Sequence, residues 1–536
     1  MPPAPVSRPG ITAHTQPQIT SWPDNQTTLF QKPPPLPPRP PIQRQPWFTR
    51  RWPMVAAGCL LALLSFGLVL WLSDLFLIGQ NDSAGEPKKM ASGSAARNGV
   101  GAAGLAPGGD TPAELPPGTT SMTLGQNPLS VLDGFYDALA DLEQGRRKRP
   151  VTILHLGDDH VSGDRLDAHL RALFQARFGD AGRGLLLPAG AFKGYRARGV
   201  RFGVEGPWST ASILDTKSGV FGLTGVQVSA TSAKSEISVT SLDGPFDGAE
   251  VAFLASPDRG AASILVDGKS YSVATRANEP GVQRFRINLG GSTLAVRPAG
   301  TGPITVLSWS LTKNQAGIRY ASIGLPGARA DTPGRADELV MTEEVRALRP
   351  DLIVLGYGQV EGFDDQLDVG RYAQRVQELI ARIKGLAPEA SLLLIGPADA
   401  ARMPDHAAKP LRQSPTAACR ALSQEERQGY ARLIVAEDAR LARWYPPPRL
   451  EDVRLVLQRA ALRDGAYYWD WSQIMGGACG IHMWAHAKPE LALPDHLHLS
   501  DEGYQRSAKA LFSELIQGYS AQRQLAGPVP GSVTRK

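Results

Sequence analysis

Two polar groups in the sequence carry residue types that could perform chemistry. In "VTILHLGDDHVSGD", an apolar run and one glycine are followed at once by Asp158, Asp159 and His160. Two carboxylates beside an imidazole could act as general acid and base, or could bind a divalent metal ion. Near the other end, "LPDHLHLSDEGY" places Asp495 three residues before His498. A carboxylate at that spacing can accept from the imidazole Nδ1–H and leave Nε2 as a general base.

Strands and helices that alternate along the chain must position these residues. The apolar run at Val151 predicts a strand, as do "DLIVLGYG", "SLLLIGPAD" and "AYYWDWS". The segments "DRLDAHLRALFQARFG", "GRYAQRVQELIARIKGLAP" and "LEDVRLVLQRAALRDG" have the period of amphipathic helices, and a last helix begins near Ser500. This alternation indicates an α/β fold with a parallel sheet, which binds ligands at the carboxyl ends of its strands. Asp158 and Asp159 fall at that edge.

The segment from Tyr195 to Thr312 has a different pattern. Short alternating runs such as "VQVSAT", "AEVAFLA" and "QRFRINL" are separated by Gly, Asp and Pro at hairpin spacing. We therefore expect an all-β sandwich inserted into the α/β domain. Trp208, Tyr271 and Trp309 could be exposed there and contact sugar rings, although an aromatic side chain in a small sandwich is more often part of the core.

The N-terminal part predicts a membrane anchor. Residues 1–52 are rich in Pro and Gln, which is typical of a disordered tail. Residues 53–79 contain an uncharged apolar stretch long enough for a transmembrane helix. Arginines precede this span and acidic residues follow it, so we expect a bacterial inner-membrane protein with a cytoplasmic N-terminus and a periplasmic C-terminal part. Residues 80–125, rich in Gly, Ala and Ser, read as a flexible linker.

Charge and cysteine content exclude some classes of function. The net charge of +6 is scattered along the chain, which gives no support for nucleic-acid binding. Of three cysteines, Cys59 lies in the predicted span, while Cys419 and Cys479 lie on the oxidising side, where they could form a disulfide if they meet. No CxxC or Cys/His cluster suggests zinc, and we predict no metal and no cofactor.

The order and flanks of these motifs resemble those of the SGNH (GDSL-type) hydrolases over about residues 128–520. The segments that carry the resemblance are "ILHLGDDHVSGDRL", "IRYASIGLPGA", "IVLGYGQVEG" and "PDHLHLS". They are most similar to the periplasmic branch of peptidoglycan and exopolysaccharide O-acetylesterases, which carries a carbohydrate-binding-like module. The resemblance implies a three-layer α/β/α, flavodoxin-like domain in two parts, 126–194 and 313–520. The sandwich would occupy 195–312, and 521–536 would be a disordered tail.

The resemblance assigns roles position by position. Asp159 occupies the place where the family has its nucleophilic serine, and Gly327 matches the oxyanion-hole glycine. Val360 stands where the family has the asparagine that binds the oxyanion. Asp495 and His498 match the orienting carboxylate and the base. The first and third motifs are also matched by Gly157, Asp158 and Gly358.

These departures predict a catalytically degenerate protein. Loss of a triad nucleophile costs a factor of about 10⁶ in turnover, and loss of one oxyanion donor about 10² to 10³. A carboxylate at Asp159 would also repel a developing oxyanion by about 4 kcal/mol at ~4 Å. We therefore expect a periplasmic binding or scaffolding protein for polysaccharide or peptidoglycan. It would belong to a complex that acylates or exports exopolysaccharide, of cellulose type or another, or cell-wall glycan.

Two enzymatic alternatives remain open at the level of sequence. The chain could be an active polysaccharide O-acetylesterase or acyltransferase whose site is rearranged around Asp495 and His498. It could also be a metallophosphoesterase, because Asp158-x-His160 and "GDRLD", residues 163–167, imitate two motifs of two-metal enzymes. In that family the second motif follows a separate strand, whereas here it opens the first predicted helix.

Overall fold

The computed structural model describes residues 19–20 and 128–525, apart from 191, 193, 217–218 and 408–417. The predicted membrane span at 53–79 and the predicted linker at 80–125 lie outside the described residues, as does nearly all of the predicted tail at 1–52. Within the described part, no helix has both the length and the apolar character needed to cross a membrane.

Helices and strands alternate through most of the described chain. In chain order, the strands are β1 (Ile19–Thr20), β2 (Val151–Gly157), β3 (Gly184–Leu186), β4 (Val200–Glu205), β5 (Ser209–Ser212), β6 (Val226–Ala230), β7 (Glu236–Ser241), β8 (Gly248–Ala255), β9 (Ala261–Val266), β10 (Lys269–Ala274), β11 (Gly281–Ile287), β12 (Thr293–Pro298), β13 (Ile304–Thr312), β14 (Ile318–Gly324), β15 (Leu352–Gly356), β16 (Ser391–Gly396) and β17 (Tyr467–Asp470). The α-helices are α1 (Asp133–Glu143), α2 (Asp159–Ser162), α3 (Leu166–Phe178), α4 (Glu338–Leu348), α5 (Gln359–Gly362), α6 (Val369–Leu386), α7 (Gln424–Val435), α8 (Leu450–Asp464), α9 (Trp471–Ile474), α10 (Gly480–Ala485) and α11 (Asp501–Leu525). Short 3₁₀ turns occupy Leu129–Leu132, Pro333–Arg335 and Ala439–Leu441.

A parallel sheet in the order β14-β2-β15-β16-β17 forms the centre of the α/β domain. The predicted α/β fold is therefore confirmed. The sequence patterns predicted four of these strands but not β14, the edge strand that follows the sandwich. The final helix α11 extends to Leu525, which corrects our expectation of a disordered tail from residue 521. Leu511, Leu515 and Tyr519 pack on the core up to this point, and beyond it the Gln522 side chain holds the helix against α1 by donating to Asp137 at 2.9 Å.

Each face of the parallel sheet has its own hydrophobic core. Alternate side chains of a strand point to opposite faces, and in β2 Val151 and Ile153 share one core, while Leu154 and Leu156 share the other. The first core is filled by α1, α3 and α11, and the second by α4, α6 and α8. Helices on both faces of the sheet make the three layers of the domain.

Two antiparallel sheets form the β-sandwich that lies between β3 and β14. One has the order β1-β11-β8-β13-β6-β5, with β3 also paired to β13, and the other has the order β10-β9-β12-β7-β4. The strand β3 lies before residue 195, where we placed the start of the sandwich. It pairs with Trp309–Leu311 and satisfies backbone groups of β13.

The aromatic side chains of the sandwich pack inward. Trp309 is buried, and its Nε1–H donates to the Leu187 carbonyl at 2.7 Å. Trp208 and Tyr271 are partly buried against the same core. Trp309 is therefore a core residue, and the possibility that it is exposed to grip sugar rings is wrong.

A disulfide joins Cys419 to Cys479 across 60 residues of sequence. The sequence could not show that these two cysteines meet. Closing a loop of that length restricts the unfolded chain, and the entropy of loop closure corresponds to about 4 kcal/mol.

Replacing both cysteines by serine is expected to lower the free energy of unfolding by about 4 kcal/mol, measured by chemical denaturation. Added reductant should lower the stability of the parent protein to the level of the double variant, and should leave the double variant unchanged. A double variant as stable as the oxidised parent would contradict this role for the disulfide.

Candidate functional site

The first motif is placed by the close approach of α2 to the carboxyl edge of the sheet. Gly157 of β2 pairs in register with Gly324 of β14 and with Gly356 of β15. A Cβ on Gly157 would lie 2.4 Å from Cγ2 of Val161, and one on Gly324 would lie 2.3 Å from the Ser162 nitrogen. Only glycine fits at these two positions, because the short helix lies directly on the strand ends. Asp159, the first residue of α2, is partly exposed there.

Asp158 is a structural residue that ties two loops together. Its buried carboxylate accepts from the backbone N–H of His160 at 3.2 Å and from that of Gln359 at 3.3 Å. Its own N–H donates to the Gly356 carbonyl. Burial, followed by the charge of the neighbouring Asp159, raises the pKa of Asp158 well above its ordinary value. Asp158 therefore fastens the first motif to the third.

Asp159 and Gly327 come together as the sequence resemblance implied, but in an unexpected way. The backbone N–H of Gly327 donates to Oδ2 of Asp159 at 3.1 Å. Gly327 is exposed and has a φ of 80°, a left-handed conformation that glycine adopts without strain. The donor at the oxyanion-hole position is thus bonded to a carboxylate of the protein itself.

Asp495 and His498 form a hydrogen-bonded pair in the turn before α11. The Nδ1–H of His498 donates to Oδ2 of Asp495 at 2.7 Å, and the backbone N–H of His498 donates to Oδ1 at 2.9 Å. Burial acts to raise the pKa of Asp495, but the bonds from His498 outweigh it and lower that pKa to about 2. The pair fixes the tautomer of His498 and leaves Nε2 as its free nitrogen.

The charges around His498 favour its imidazolium form. The hydrogen bond to Asp495 raises the pKa of His498, and the Asp159 carboxylate raises it further, against the opposing effect of burial. His160 lies with its ring centre 6.2 Å from that of His498, and its Nδ1 is 3.0 Å from the Tyr504 hydroxyl oxygen. Burial lowers the pKa of His160 to about 3, so this ring is neutral. His498 thus lies beside two carboxylates and one neutral imidazole.

Replacing Asp159 by asparagine is expected to lower the pKa of His498, because it removes a negative charge that stabilises the imidazolium. The imidazole signals of isotope-labelled histidine, followed by NMR as a function of pH, measure this shift. The matched variant Asp141→Asn removes an exposed carboxylate that pairs with Arg146 and should leave the titration unchanged. An unchanged or higher pKa in Asp159→Asn would contradict the interaction.

Val360 lies at the third motif, in the first turn of α5, and is partly exposed. Its apolar side chain has no hydrogen-bond donor for an oxyanion. Ser162 carries the hydroxyl nearest in sequence to the nucleophile's position, but it is buried and donates to the backbone carbonyl of Asp159 at 3.0 Å. This arrangement can move a proton through His498, but it presents no hydroxyl at Asp159 and no amide at Val360.

The arrangement around Asp164 argues against a two-metal site. This buried carboxylate, the first of the two in the "GDRLD" segment, is paired with Arg171 at 3.0 Å and with Arg183 at 2.8 Å. Burial alone would raise its pKa, but the two guanidinium groups outweigh burial and hold the pKa below its ordinary value. A carboxylate neutralised by two arginines is not available to bind metal ions.

The sequence analysis missed a cluster of three histidines next to the Asp495–His498 pair. His482, His486 and His496 each place one ring nitrogen within 4.8 Å of the other two. The signal was present in "HMWAH", where the two histidines are four residues apart and share one helical face. The third histidine lies in a separate turn that follows α10, and the helical spacing does not indicate that this turn folds back onto the helix.

The parallel sheet thus has a hydrogen-bonded carboxylate–histidine pair at its carboxyl edge. Residues 286–511 match the family model of the GDSL-like lipases and acylhydrolases. This match agrees with the resemblance of the sequence motifs to the SGNH hydrolases. A search of curated proteins found no match.

One of the solved structures compared with the chain shares its fold. A peptidoglycan O-acetylesterase superposes with a TM-score of 0.58 and 22% identity, over 74% of this chain and 99% of its own. A family two carbohydrate esterase from Clostridium thermocellum matches with a TM-score of 0.23 and 11% identity, over 59% of this chain and 98% of its own. The periplasmic domain of a lipopolysaccharide acetyltransferase from Salmonella ser. Paratyphi A gives a TM-score of 0.24 and 11% identity, over 38% and 72%. Only the first of these likenesses is strong enough to compare folds.

Proposed function

We propose that the protein is a catalytically degenerate member of the SGNH superfamily that binds glycan at the carboxyl edge of its sheet. One observation carries this proposal: the Gly327 N–H, which in an active relative would face the oxyanion, donates to the Asp159 carboxylate at 3.1 Å. The protein's own negative group thus occupies the place where negative charge would have to develop during ester hydrolysis.

The energies of these changes oppose ester hydrolysis. A carboxylate and a developing oxyanion ~4 Å apart repel by about 4 kcal/mol at an effective dielectric near 20, which corresponds to roughly a 10³-fold slower reaction. The missing hydroxyl at Asp159 removes a further factor of about 10⁶. The raised pKa of His498 also favours the imidazolium, which cannot accept a proton. Each of these effects acts on the same step, the formation of a tetrahedral intermediate.

The same groups suit a binding cleft. Asp495 and His498 are both partly exposed at the open edge of the sheet, where charged carboxylate and imidazolium groups can bond to sugar hydroxyls. The structure with the same fold is a peptidoglycan O-acetylesterase, which supports a cell-envelope glycan as the ligand. With the predicted span at 53–79, the protein would hold such a glycan at the periplasmic face of the inner membrane. There it would serve a complex that acylates or exports exopolysaccharide or cell-wall glycan.

Affinity electrophoresis of the detergent-solubilised full-length protein tests glycan binding. Gels that contain acetylated xylan, a cellulose derivative or solubilised peptidoglycan should retard the parent protein in at least one case. Asp495→Asn should lose most of that retardation, whereas the matched surface variant Asp141→Asn should keep it. Equal mobility of the parent protein in gels with and without glycan, or equal retardation of both variants, would contradict a glycan site at the Asp495–His498 pair.

A second candidate function rests on the intact Asp495–His498 pair. The bond of 2.7 Å between them is the geometry of a working base and its orienting carboxylate. If the chain is an O-acetylesterase or acyltransferase, incubation with glycan and an acetyl donor must change the acetyl content of the glycan. Mass spectrometry would then show a change with the parent protein that Asp495→Asn does not produce.

A further inference from the structure

Three imidazoles converge where α10 meets the turn that carries the Asp495–His498 pair. His482 and His486 are four residues apart, at and just beyond the C-terminal half of α10, so both rings lie on one side of it. His496 comes from the turn before α11 and lies opposite them. The ring centres of His482 and His496 are 5.0 Å apart, and those of His482 and His486 are 4.4 Å apart.

The hydrogen bonds of the rings leave nitrogen lone pairs directed into the cluster. Nδ1–H of His496 donates to the Pro494 carbonyl at 2.9 Å, and Nδ1–H of His486 donates to the His482 carbonyl at 2.8 Å. Nε2 of each ring therefore carries a lone pair. Nδ1–H of His482 donates to the lone pair on Nε2 of His496 at 2.9 Å. A metal ion bound between these two nitrogens would replace this proton, which would move to Nε2 of His482. A ligating histidine commonly donates its other N–H to a backbone carbonyl, which fixes the ring and raises its basicity.

The surroundings hold the rings in place before any ligand binds. The indole of Trp444 stacks on His496 with ring centres 3.8 Å apart, and His496 is buried. The residue adopts a φ of 54°, a left-handed conformation that is costly for a residue with a side chain and is concentrated at functional sites. The disulfide fixes Cys479, at the start of α10, to Cys419, which pairs through its backbone with Trp444. The disulfide and this backbone pairing together connect α10 to the segment that carries Trp444.

We propose that His482, His486 and His496 bind a divalent transition-metal ion of the zinc type. Nitrogen ligands at about 2.1 Å in tetrahedral geometry are about 3.4 Å apart, and the cluster nitrogens lie between 2.9 and 4.8 Å of one another. Small movements of the three rings would bring their nitrogens to that spacing. An all-imidazole set suits Zn²⁺, Cu²⁺ or Ni²⁺ and not Mg²⁺ or Ca²⁺, which prefer oxygen. Three protein ligands leave a fourth position open to water or a ligand group.

A metal ion at this site would hold in place the turn that carries the Asp495–His498 pair. His496 lies two residues before His498, so an ion bound to it would join this turn to α10. The metal would then stabilise the folded protein by an amount that grows with the logarithm of the free metal concentration above its Kd. This inference concerns residues outside the Asp159–Gly327 contact and does not depend on the proposed glycan binding.

Metal analysis of the full-length protein, purified without a histidine tag and stripped with a chelator, tests the inference. After equilibration with ZnCl₂ and removal of free ion, the parent should retain one zinc per chain in elemental analysis. His486→Gln should weaken Zn²⁺ binding by more than the ~10- to 100-fold that loss of an outer-sphere partner costs. His486 is exposed, so this variant should keep its fold. The matched control His169→Gln, outside the cluster, should bind zinc as the parent does.

Two further measurements decide between a specific site and loose binding. Zn²⁺ should raise the thermal unfolding midpoint of the parent and of His169→Gln but not that of His486→Gln. Co²⁺ in place of Zn²⁺ should give the visible absorption of a four-coordinate ion in the parent protein. His486→Gln should not show this absorption. Zinc retention by the parent no greater than by His486→Gln, or an equal loss in His169→Gln, would overturn the site.

Discussion

Replacing Asp159 by serine and Val360 by asparagine in the same chain is expected to produce an acetylesterase that depends on His498. The double variant should hydrolyse p-nitrophenyl acetate at least about 10³-fold faster than the parent protein. The reason is that the two changes supply the nucleophilic hydroxyl and the second oxyanion donor. They also remove the carboxylate that now accepts from the Gly327 N–H.

The positions of the remaining groups make this gain possible without rebuilding the site. Gly327 already points its N–H at the side chain of residue 159, and Asp495 already orients His498 at 2.7 Å. Loss of the Asp159 charge also lowers the pKa of His498, so more of the imidazole can accept a proton at neutral pH.

The single variants separate the contributions. Asp159→Ser alone should gain part of the activity, since one oxyanion side chain contributes about 10² to 10³. Val360→Asn alone should remain at the parent rate, because the carboxylate still occupies the Gly327 donor. Adding His498→Ala to the double variant should return it to background. A Val360→Asn variant as active as the double variant would contradict the blocking role of Asp159.

Replacing Asp164 by asparagine is expected to destabilise the protein by about 3 to 5 kcal/mol, the cost of removing one partner of a buried ion pair. Its carboxylate is fully buried and neutralises the guanidinium groups of Arg171 and Arg183. It also accepts from the backbone N–H of Arg198 at 2.7 Å. An amide of the same shape removes the carboxylate that forms an ion pair with both buried arginines.

The midpoint of chemical denaturation measures this effect. The control Asp141→Asn breaks an exposed pair with Arg146 and should cost less than about 1 kcal/mol. A loss of less than about 1 kcal/mol in Asp164→Asn would contradict the assignment of Asp164 as the centre of a buried ionic cluster.

The sequence predicted the helices well where burial follows local periodicity. The segment of α6 has the period of an amphipathic helix, and the structure buries its apolar face, formed by Tyr372, Val376, Leu379, Ile380 and Ile383. In α3, the apolar face was also recognised, but Asp167 and Arg171 are buried beside it. Charged residues in a core depend on partners from distant segments, here Asp164 for Arg171, and a helical period contains no information about those partners.

The candidate site shows the same limit. Asp495 and His498 are three residues apart, so local spacing was sufficient to predict their contact. Asp159 and Gly327 are separated by 168 residues, and only the resemblance to a family suggested that they meet. That Asp159 would accept from Gly327 depends on the position of α2 over the strand ends, which the sequence does not specify. The histidine cluster was not predicted for a similar reason. His496 reaches α10 through a turn in which it adopts a left-handed conformation, and the sequence does not specify that turn.

A comparison of the parent protein with His498→Ala tests the absence of esterase activity most directly. Both detergent-solubilised full-length proteins are assayed under the same conditions, near neutral pH, for release of p-nitrophenol from p-nitrophenyl acetate. We predict equal rates, both indistinguishable from the background of hydrolysis by surface groups. A parent rate above that of His498→Ala by the ~10² to 10⁴ that a working general base contributes would contradict catalytic degeneracy.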